Sequence, residues 1–311
     1  MEMKQNMEQK TAFLAIVGCP NVGKSSLLNA LLGQKIAIVS NKPQTTRTRI
    51  MGIYTKEELQ LVFIDTPGLH KAHNRLDEYM ERTISHSVAG VDACILVVEA
   101  GAELREGELQ LIEKIKAQDI PAILVINKID RLANKEELMA QIAAITEVHE
   151  FEAVVPLSAL RGDGIKDLHK ELAKMAMPGA HFFDEDEITD MPEKTLVAEI
   201  IREKLLRLTS KEIPHGTAVV VEQMKEKETT SGEPLTDIMA TIFCERDSHK
   251  GIIIGKSGAM LKKVGSYARE DLEKFFECKI NLQLWVKVKE NWRNQEALLH
   301  SFGYDKNDFE Q

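Results

Sequence analysis

The chain has 311 residues, enough for two domains of ordinary size that each bury a core of their own. Its formal net charge of −9 argues against indiscriminate nucleic-acid binding, although a local basic surface is still allowed. Apolar runs such as ACILVV at residues 93–98 are too short to cross a bilayer, and the N-terminus lacks the apolar core of a secretory signal. The four cysteines lie far apart, which indicates isolated thiols in an intracellular protein.

Short apolar runs alternate with helix-like stretches through about residue 176. The runs at 12–17, 93–98 and 122–126 are each followed by a glycine-rich or polar turn. This alternation is typical of a mostly parallel sheet with helices on both faces, so we expect an α/β domain over residues 1–178. The acidic stretch DEDEITDMPEK then predicts a solvated linker over residues 179–192.

Residues 193–311 have a different pattern, which predicts an α+β domain. A helix with an apolar face comes first, followed by two strands separated by the turn TTSGEP. A short helix that we expect Asp247 or Ser248 to cap precedes a long helix and a strand of alternating apolar residues. The predicted order is helix, strand, strand, helix, helix, strand, with a terminal helix that places Trp292, Leu299 and Phe302 on one face.

The first glycine-rich loop, GCPNVGKSS at residues 18–26, fits the phosphate-loop pattern G-x-x-x-x-G-K-[ST]. An apolar strand precedes it and a helix follows, so its N–H groups and the helix N-terminus can face an anion. Lys24 can reach the β- and γ-phosphates, and the Ser25 hydroxyl can ligate Mg²⁺. The candidate nucleotide-binding residues here are Asn21, Val22, Gly23, Lys24, Ser25 and Ser26.

Three further motifs follow predicted strands, where open α/β sheets bind ligands. DTPG places Asp65 where it can hold Mg²⁺ through water, and Gly68 where its N–H can meet a γ-phosphate. NKID supplies Asn127, Lys128 and Asp130, and the Asp130 carboxylate matches the N1–H and N2–H₂ edge of guanine. SAL, with Ser158, Ala159 and Leu160, can donate a backbone N–H to the guanine O6. The four motifs together predict a P-loop domain that binds GTP and GDP.

Hydrolysis requires further groups, and the catalytic candidates are Asn21, Lys24, Thr46 and Gly68. In NKPQTTRTR we favour Thr46 over Thr45 as the residue that completes the Mg²⁺ shell with Ser25 and Asp65. Leu69 stands where a Ras-like enzyme has its water-orienting glutamine, so we expect a slow intrinsic rate. Asn21 is a candidate for holding K⁺ beside the phosphates.

The second Gly-Lys-Ser, in GIIIGKSGAM at residues 251–260, does not fit a phosphate loop because position 250 is lysine. Gly255, Lys256, Ser257 and Gly258 instead form a G-x-x-G between two predicted helices, the arrangement by which a KH domain clamps single-stranded RNA. Residues 245–293 hold eleven Lys and Arg against seven Asp and Glu. Lys262 and Lys263 follow the loop and are candidate phosphate contacts.

The whole chain resembles the Era family of bacterial GTPases, on GCPNVGKSS, QTTR, DTPGLH and NKID in the first half and GIIIGKSGAMLKKVG in the second. The resemblance implies a KH domain of type II topology. It also implies binding to 16S ribosomal RNA near its 3′ end, a role in 30S subunit assembly, and a cytoplasmic protein loosely attached to the inner face of the cell membrane. The family's apolar residue at the Leu69 position means that Leu69 does not mark an inactive enzyme. We expect a monomer.

Two alternatives stay open at this point. The chain could be a membrane-surface signalling GTPase whose second domain docks a protein, or a GTPase domain that binds without hydrolysing. Trp292 and Arg293 are expected to pack on the second domain, with contact to an RNA base as the alternative.

Overall fold

The computed structural model of the protein describes residues 8–42, 44–68, 74–88, 90–210 and 213–304. Leu69 therefore lies outside the described residues. Contacts divide the chain into two compact units. The first comprises Met1–Ala37, Thr46–Lys71 and Met80–Asp190, and the second comprises Ile38–Thr45, Ala72–Tyr79 and Met191–Gln311.

Strands and helices alternate through residue 178, except for two consecutive strands over residues 50–65. The strands are β1 (Lys10–Val17), β2 (Ile50–Lys56), β3 (Leu59–Asp65), β4 (Ala93–Glu99), β5 (Ala122–Asn127), β6 (Ala153–Leu157) and β7 (Met177–Pro178). The helices are α1 (Lys24–Leu32), α2 (Arg75–Val88), α3 (Glu106–Ala117), α4 (Lys135–Val148) and α5 (Ile165–Met175). Six strands follow the order β2-β3-β1-β4-β5-β6, with β7 antiparallel to β1. β2 is antiparallel to β3, and the other neighbours along this order are parallel.

Burial of the central strands explains why they read as continuous apolar runs. β5 is buried along its whole length and β4 is buried up to Glu99, because helices cover both faces of a parallel sheet. Leu111, Ile112 and Ile115 of α3 pack against them in one core cluster. The α/β architecture expected from the alternation is confirmed.

Residues 179–190 lie along the first unit. The Gln60 side-chain oxygen accepts hydrogen bonds from the N–H groups of Phe182 (2.8 Å) and Phe183 (3.2 Å). Further along, Ile53 N–H donates to the Ile188 carbonyl (2.9 Å), and the Thr189 hydroxyl donates to the Met51 carbonyl (2.6 Å). The acidic segment is thus held to strands β2 and β3 by hydrogen bonds. The domain limits at 178 and 192 stay a prediction.

The elements of the second unit after residue 190 are α6 (Glu193–Leu208), β8 (Ala218–Glu228), β9 (Pro234–Cys244), α7 (Asp247–Ile254), α8 (Ala259–Phe276), β10 (Lys279–Val288) and α9 (Glu296–Ser301). The sheet order is β10-β9-β8, with β9 antiparallel to β8 and parallel to β10. The predicted order of helices and strands is confirmed, and the apolar faces of α6 and α8 form its core with the sheet.

The start of α7 differs from the expectation. The Lys250 N–H donates to the Arg246 carbonyl (3.0 Å), and Arg246 has extended backbone angles, so Arg246 is the N-cap. The prediction of Asp247 or Ser248 was therefore wrong. Asp247 lies in the first turn, where a carboxylate is favourable because of the positive end of the helix dipole.

The terminal segment packs as expected, but its helix is shorter than the prediction. α9 covers only Glu296–Ser301, and Trp292 lies in a separate 3₁₀ turn, because the extended backbone of Gln295 interrupts the helix. The prediction of one helix that carries Trp292, Leu299 and Phe302 was therefore wrong. Trp292 is fully buried, its indole N–H donates to the Gly216 carbonyl (3.0 Å), and its ring meets Phe302 edge-on. Arg293 pairs with Glu245 at 2.7 Å. Burial of the indole rules out the alternative that Trp292 stacks on an RNA base.

Residues 38–45 belong to the second unit through hydrogen bonds to α6. Val39 N–H donates to the Glu203 carboxylate (2.9 Å), and Arg202 donates to the Thr45 carbonyl. The Lys42 ammonium donates to the carbonyls of Leu206 and Thr209, at the C-terminal end of α6. A cation is favourable there because these carbonyls carry the negative end of the helix dipole.

Among the described residues, no helix is both long and apolar enough to span a bilayer.

Candidate functional site

The first glycine-rich loop connects β1 to α1, as the motif predicts. Gly23 has φ 103°, and a Cβ atom there would lie 2.3 Å from the Asn127 side-chain nitrogen, so only glycine fits. Val22 is buried, Asn21 is exposed with φ 66°, and Ser25 and Ser26 lie in the first turn of α1. The loop therefore ends at a helix N-terminus whose N–H groups are oriented for an anion.

Lys24 points into this loop. It is only 7% exposed, and its ammonium donates to the carbonyls of Gly18 (3.0 Å) and Cys19 (3.2 Å). Burial lowers the pKa of Lys24, and the nearby Asp65 carboxylate opposes that change. The loop thus holds a desolvated cation at its centre, which favours a polyanionic ligand.

Three oxygen-bearing side chains meet beside Lys24. The Ser25 hydroxyl donates to Asp65 at 2.8 Å and lies 2.8 Å from the Thr46 hydroxyl. Burial raises the pKa of Asp65 to about 6, because the fully buried carboxylate loses hydration that its hydrogen bonds only partly replace. Thr45 instead bonds Ser40 (2.7 Å) and the Lys42 carbonyl (2.6 Å). Two hydroxyls and a carboxylate suit a hard cation such as Mg²⁺.

Gly68 lies against the same loop. A Cβ atom on Gly68 would be 2.8 Å from the Pro20 Cα atom, so the DTPG segment passes the phosphate loop at backbone distance. Gly68 therefore lies beside the phosphate loop, and the contact of its N–H with a γ-phosphate stays a prediction.

The NKID and SAL motifs are tied together by Asn127. Its side-chain nitrogen donates to the Val22 carbonyl (2.9 Å), and its oxygen accepts from the N–H groups of Lys128 (2.8 Å) and Ala159 (3.0 Å). Asn127 therefore connects three of the four predicted motifs.

Asp130 is oriented by the buried Ser158, whose hydroxyl donates to it at 2.5 Å. That hydrogen bond lowers the pKa of Asp130, which keeps the carboxylate ionised and able to accept from a guanine edge. Leu160, the last residue of the SAL motif, is 85% exposed.

Sequence reasoning missed two charged residues beside these motifs, Glu99 and Arg105. Glu99 ends β4 and binds Lys128 at 2.9 Å, and Arg105 donates to the Pro20 carbonyl at 3.4 Å. Glu99 had one usable signal: like Asp65 and Asn127, it stands at the carboxyl end of a strand. No motif contains Arg105.

The second loop lies between α7 and α8 and has a different backbone. Gly255, Ser257 and Gly258 have φ angles of 72°, 51° and 80°. A Cβ atom on Gly255 would lie 2.7 Å from the Met260 Cβ atom, whereas one on Gly258 would meet open space. Lys256 is exposed, as are Lys262 and Lys263 in the first turns of α8. The lysines of this loop and of the following helix therefore face solvent.

A groove of about 430 Å³ begins at this loop and runs between α8 and β10. Its apolar wall comes from Leu261, Ile280, Leu282 and Leu284, and polar groups of Lys262, Ser266, Arg269 and Asn281 line the rest. An apolar groove with a basic rim next to a G-x-x-G loop suits nucleic-acid bases and their phosphates.

Comparisons with known proteins agree with both halves. A family model described as "50S ribosome-binding GTPase" matches residues 13–128, and a KH domain model matches residues 212–293. GTPase Era of Ruminiclostridium cellulolyticum is 47% identical over 97% of this chain and 99% of its own length. The chain belongs to the Era family of GTPases. GTPase Era of Clostridioides difficile is likewise 47% identical, over 95% of this chain and 99% of that protein.

Two solved Era structures share the fold of this Era-family chain. Both have a TM-score of 0.90 at 37% identity, covering 95% of this chain and 99% of the other. One is a single-residue variant of Aquifex aeolicus Era bound to GDP·AlF₄⁻. The other is Era in complex with MgGDPNP and nucleotides 1506–1542 of 16S ribosomal RNA. The fold is thus a P-loop GTPase domain followed by a KH domain whose parallel β9–β10 pair and element order have the type II topology.

Proposed function

We propose that this chain is a GTP-hydrolysing switch that binds 16S ribosomal RNA near its 3′ end and acts in assembly of the 30S subunit. One observation carries the proposal: a single chain contains both kinds of site. The loop around the buried Lys24 is hydrogen-bonded to the NKID motif, and an exposed G-x-x-G loop borders a groove. Membership of the Era family supports it, as does the related Era complex with MgGDPNP and a 16S fragment.

The residues on the nucleotide side fit GTP or GDP with Mg²⁺. Ser25, Thr46 and Asp65 would hold the ion, which when bound neutralises phosphate charge and polarises the terminal phosphate. Lys24 neutralises phosphate charge from inside the loop, and Asp130 selects guanine. Gly68 offers its N–H to the group that accumulates negative charge as the terminal P–O bond breaks.

K⁺ at Asn21 is a further part of the proposal. Asn21 is exposed and has a left-handed backbone within the phosphate loop, and its side-chain amide oxygen can join phosphate oxygens around a monovalent cation. GTP turnover is expected to be faster in K⁺ than in Na⁺ at equal ionic strength. Equal rates would contradict this role.

Coupling between nucleotide and RNA is proposed to run through residues 38–45. These residues hydrogen-bond α6 within the second unit, and the next residue in the chain, Thr46, lies at the Ser25 hydroxyl. A change in the position of Thr46 with nucleotide state would therefore pull on a segment that belongs to the RNA-binding unit.

Gly258→Asp tests the RNA function. Gly258 has open space around a Cβ position, whereas a side chain on Gly255 would strain the fold, so Gly258 is the cleaner site. Asp tolerates the left-handed backbone and adds a charge that repels phosphate, and Gly258→Asn is the neutral control. We expect a loss of RNA affinity of about tenfold or more in the Asp variant, with GTP hydrolysis intact in both.

Unchanged affinity of Gly258→Asp for a 16S 3′-end RNA would overturn the proposal and favour a second domain that docks a protein at a membrane surface.

A cytoplasmic monomer with peripheral attachment to the inner membrane face is also part of the proposal. Sedimentation velocity and co-sedimentation with anionic vesicles test it, and a dimer or a complete lack of vesicle binding would contradict the corresponding part.

A further inference from the structure

Three consecutive carbonyls of the phosphate loop are each held by a side chain from outside the loop. Arg105 donates to the Pro20 carbonyl (3.4 Å), Lys128 to the Asn21 carbonyl (2.6 Å), and Asn127 to the Val22 carbonyl (2.9 Å). In a trans peptide the C=O and N–H groups point in opposite directions. Holding these carbonyls outward therefore turns the N–H groups of the next residues toward the anion side of the loop.

Two of these three donors share one counter-ion. The Glu99 carboxylate lies 2.9 Å from the Lys128 ammonium and 3.6 Å from the Arg105 guanidinium. The Glu99 and Lys128 side chains are 21% and 19% exposed, so their pairing is partly shielded from solvent. A charge-assisted bond of this kind fixes the direction of a flexible lysine.

The backbone at Glu99 is anchored as well. Glu99 is the last residue of β4, and its carbonyl accepts from the Gln141 side chain at 2.9 Å. The carboxylate therefore projects from the rigid carboxyl end of the sheet rather than from a loop. Arg131 also reaches Glu99, at 2.9 Å, but its side chain is 64% exposed.

We propose that Glu99 is a positioning residue of the nucleotide site: it holds Lys128 and Arg105 so that the Asn21 and Pro20 carbonyls stay outward and the loop N–H groups stay directed at the nucleotide phosphates. The inference rests on the proposed function, because it concerns the same guanine-nucleotide site. Glu99 pairs directly with Lys128, which belongs to the NKID motif that recognises the base. We nevertheless expect Glu99 to affect phosphate binding, because it acts through the loop carbonyls.

The test is Glu99→Gln, measured by binding of GDP and of GMP in competition with a fluorescent GDP analogue. GMP lacks the β-phosphate that the loop cradles. We expect GDP affinity to fall about tenfold, the effect of losing a charge-assisted hydrogen bond, and GMP affinity to change by less than about twofold. Arg131→Gln is the matched control because it removes another Glu99 partner while leaving the loop carbonyls held, and GDP affinity should stay within about twofold.

An equal loss for GDP and GMP would overturn the proposal, because Glu99 would then act through the base or the fold as a whole. Unchanged GDP affinity would overturn it too. Failure of the unsubstituted protein to bind GDP would instead remove the proposed function itself. If Glu99→Gln lowers the melting temperature too far for binding assays, Glu99→Asp retains the charge with a shorter reach and should show the same GDP-selective loss at smaller size.

Arg105→Gln completes the set. Removing Arg105 frees only the Pro20 carbonyl, so we expect a smaller GDP loss than for Glu99→Gln. The double variant should lose less than the sum of the two single free-energy changes, because both act on one arrangement. Full additivity would contradict the shared role of Glu99 and Arg105.

Discussion

The two Gly-Lys-Ser loops of this chain share a tripeptide but differ in burial and backbone geometry. In the first, Lys24 is buried and the loop carbonyls are held by Arg105, Lys128 and Asn127. In the second, Lys256 is exposed and the backbone passes through left-handed angles between two helices. The first loop closes around a buried cation, which suits a compact polyanion, and the second is open to solvent, which suits an extended chain. The residues around the shared tripeptide, rather than the tripeptide itself, determine the geometry of each loop.

The largest expected effect concerns the base. Asp130→Asn replaces an acceptor with an amide that can present a donor, so it should disfavour guanine and favour xanthine, which has a carbonyl where guanine has its amino group. We expect the ratio of GDP to XDP affinities to fall by about 10³. Competition binding with both nucleotides measures it, and an unchanged ratio would show that Asp130 does not read the base.

Replacing Lys24 or Lys256 with alanine distinguishes the functions of the two loops. Lys24→Ala should weaken GDP binding by about 100-fold, because it removes the buried cation of the cradle, and should leave RNA binding unaffected. Lys256→Ala should leave GDP binding unchanged and weaken RNA binding a few fold. Calorimetric titration of each variant with GDP and RNA tests both. Loss of GDP binding in Lys256→Ala would contradict the assignment.

Ionisation of Asp65 gives a pH test of the first loop. The pKa of Asp65 in the folded protein, about 6, lies above its ordinary value of 3.8, so the folded state binds this proton more tightly than the unfolded state does. Without nucleotide or metal, stability should therefore fall as pH rises from about 4 to 6, by up to about 3 kcal/mol.

Asp65→Asn should lose that dependence and be the more stable protein at pH 7 in EDTA. Urea unfolding of both proteins across this range makes the comparison. Added Mg²⁺ and GDP should reverse the order at pH 7, since the bound cation favours the carboxylate. A difference between the two proteins that does not vary with pH would contradict the desolvation of Asp65.

The smallest effect concerns the rim of the second loop. Lys262→Gln and Lys263→Gln should each weaken RNA binding a few fold, and each should reduce the slope of log affinity against log salt by about 0.7. Lys274→Gln, near the other end of the same helix, is the control. Equal slopes for all three variants would place the RNA phosphates elsewhere.

The sequence predicted both loops because each depends on local pattern. The strand before Gly18 and the helix after Lys24 are readable from apolar periodicity, as is the order of elements around Gly255. The missed features depend on distant contacts. Glu99 becomes a partner of Lys128 only when neighbouring strands pair, and no spacing rule records that. The Gln60 side chain accepts a hydrogen bond from Phe182, which is 122 residues further along the chain. The acidic composition of the following segment predicts only that it is solvated and gives no sign of this contact.

Backbone geometry accounts for the remaining differences. The helix cap at Arg246 depends on which carbonyl accepts the first helical hydrogen bond, and side-chain preference at Asp247 does not determine that. Likewise, the two glycines of G-x-x-G look equivalent in the sequence. Only Gly255 is packed against Met260, so a side chain at Gly255 disturbs the fold, whereas one at Gly258 meets open space.

A crystal structure of this protein with MgGDPNP and an oligoribonucleotide from the 3′ end of 16S RNA tests the central claim most directly. The account predicts the triphosphate against Lys24, with the ion on Ser25, Thr46 and Asp65, and the RNA backbone against Gly255–Gly258. Triphosphate bound at Lys256, or RNA bound away from the groove beside α8, would contradict it.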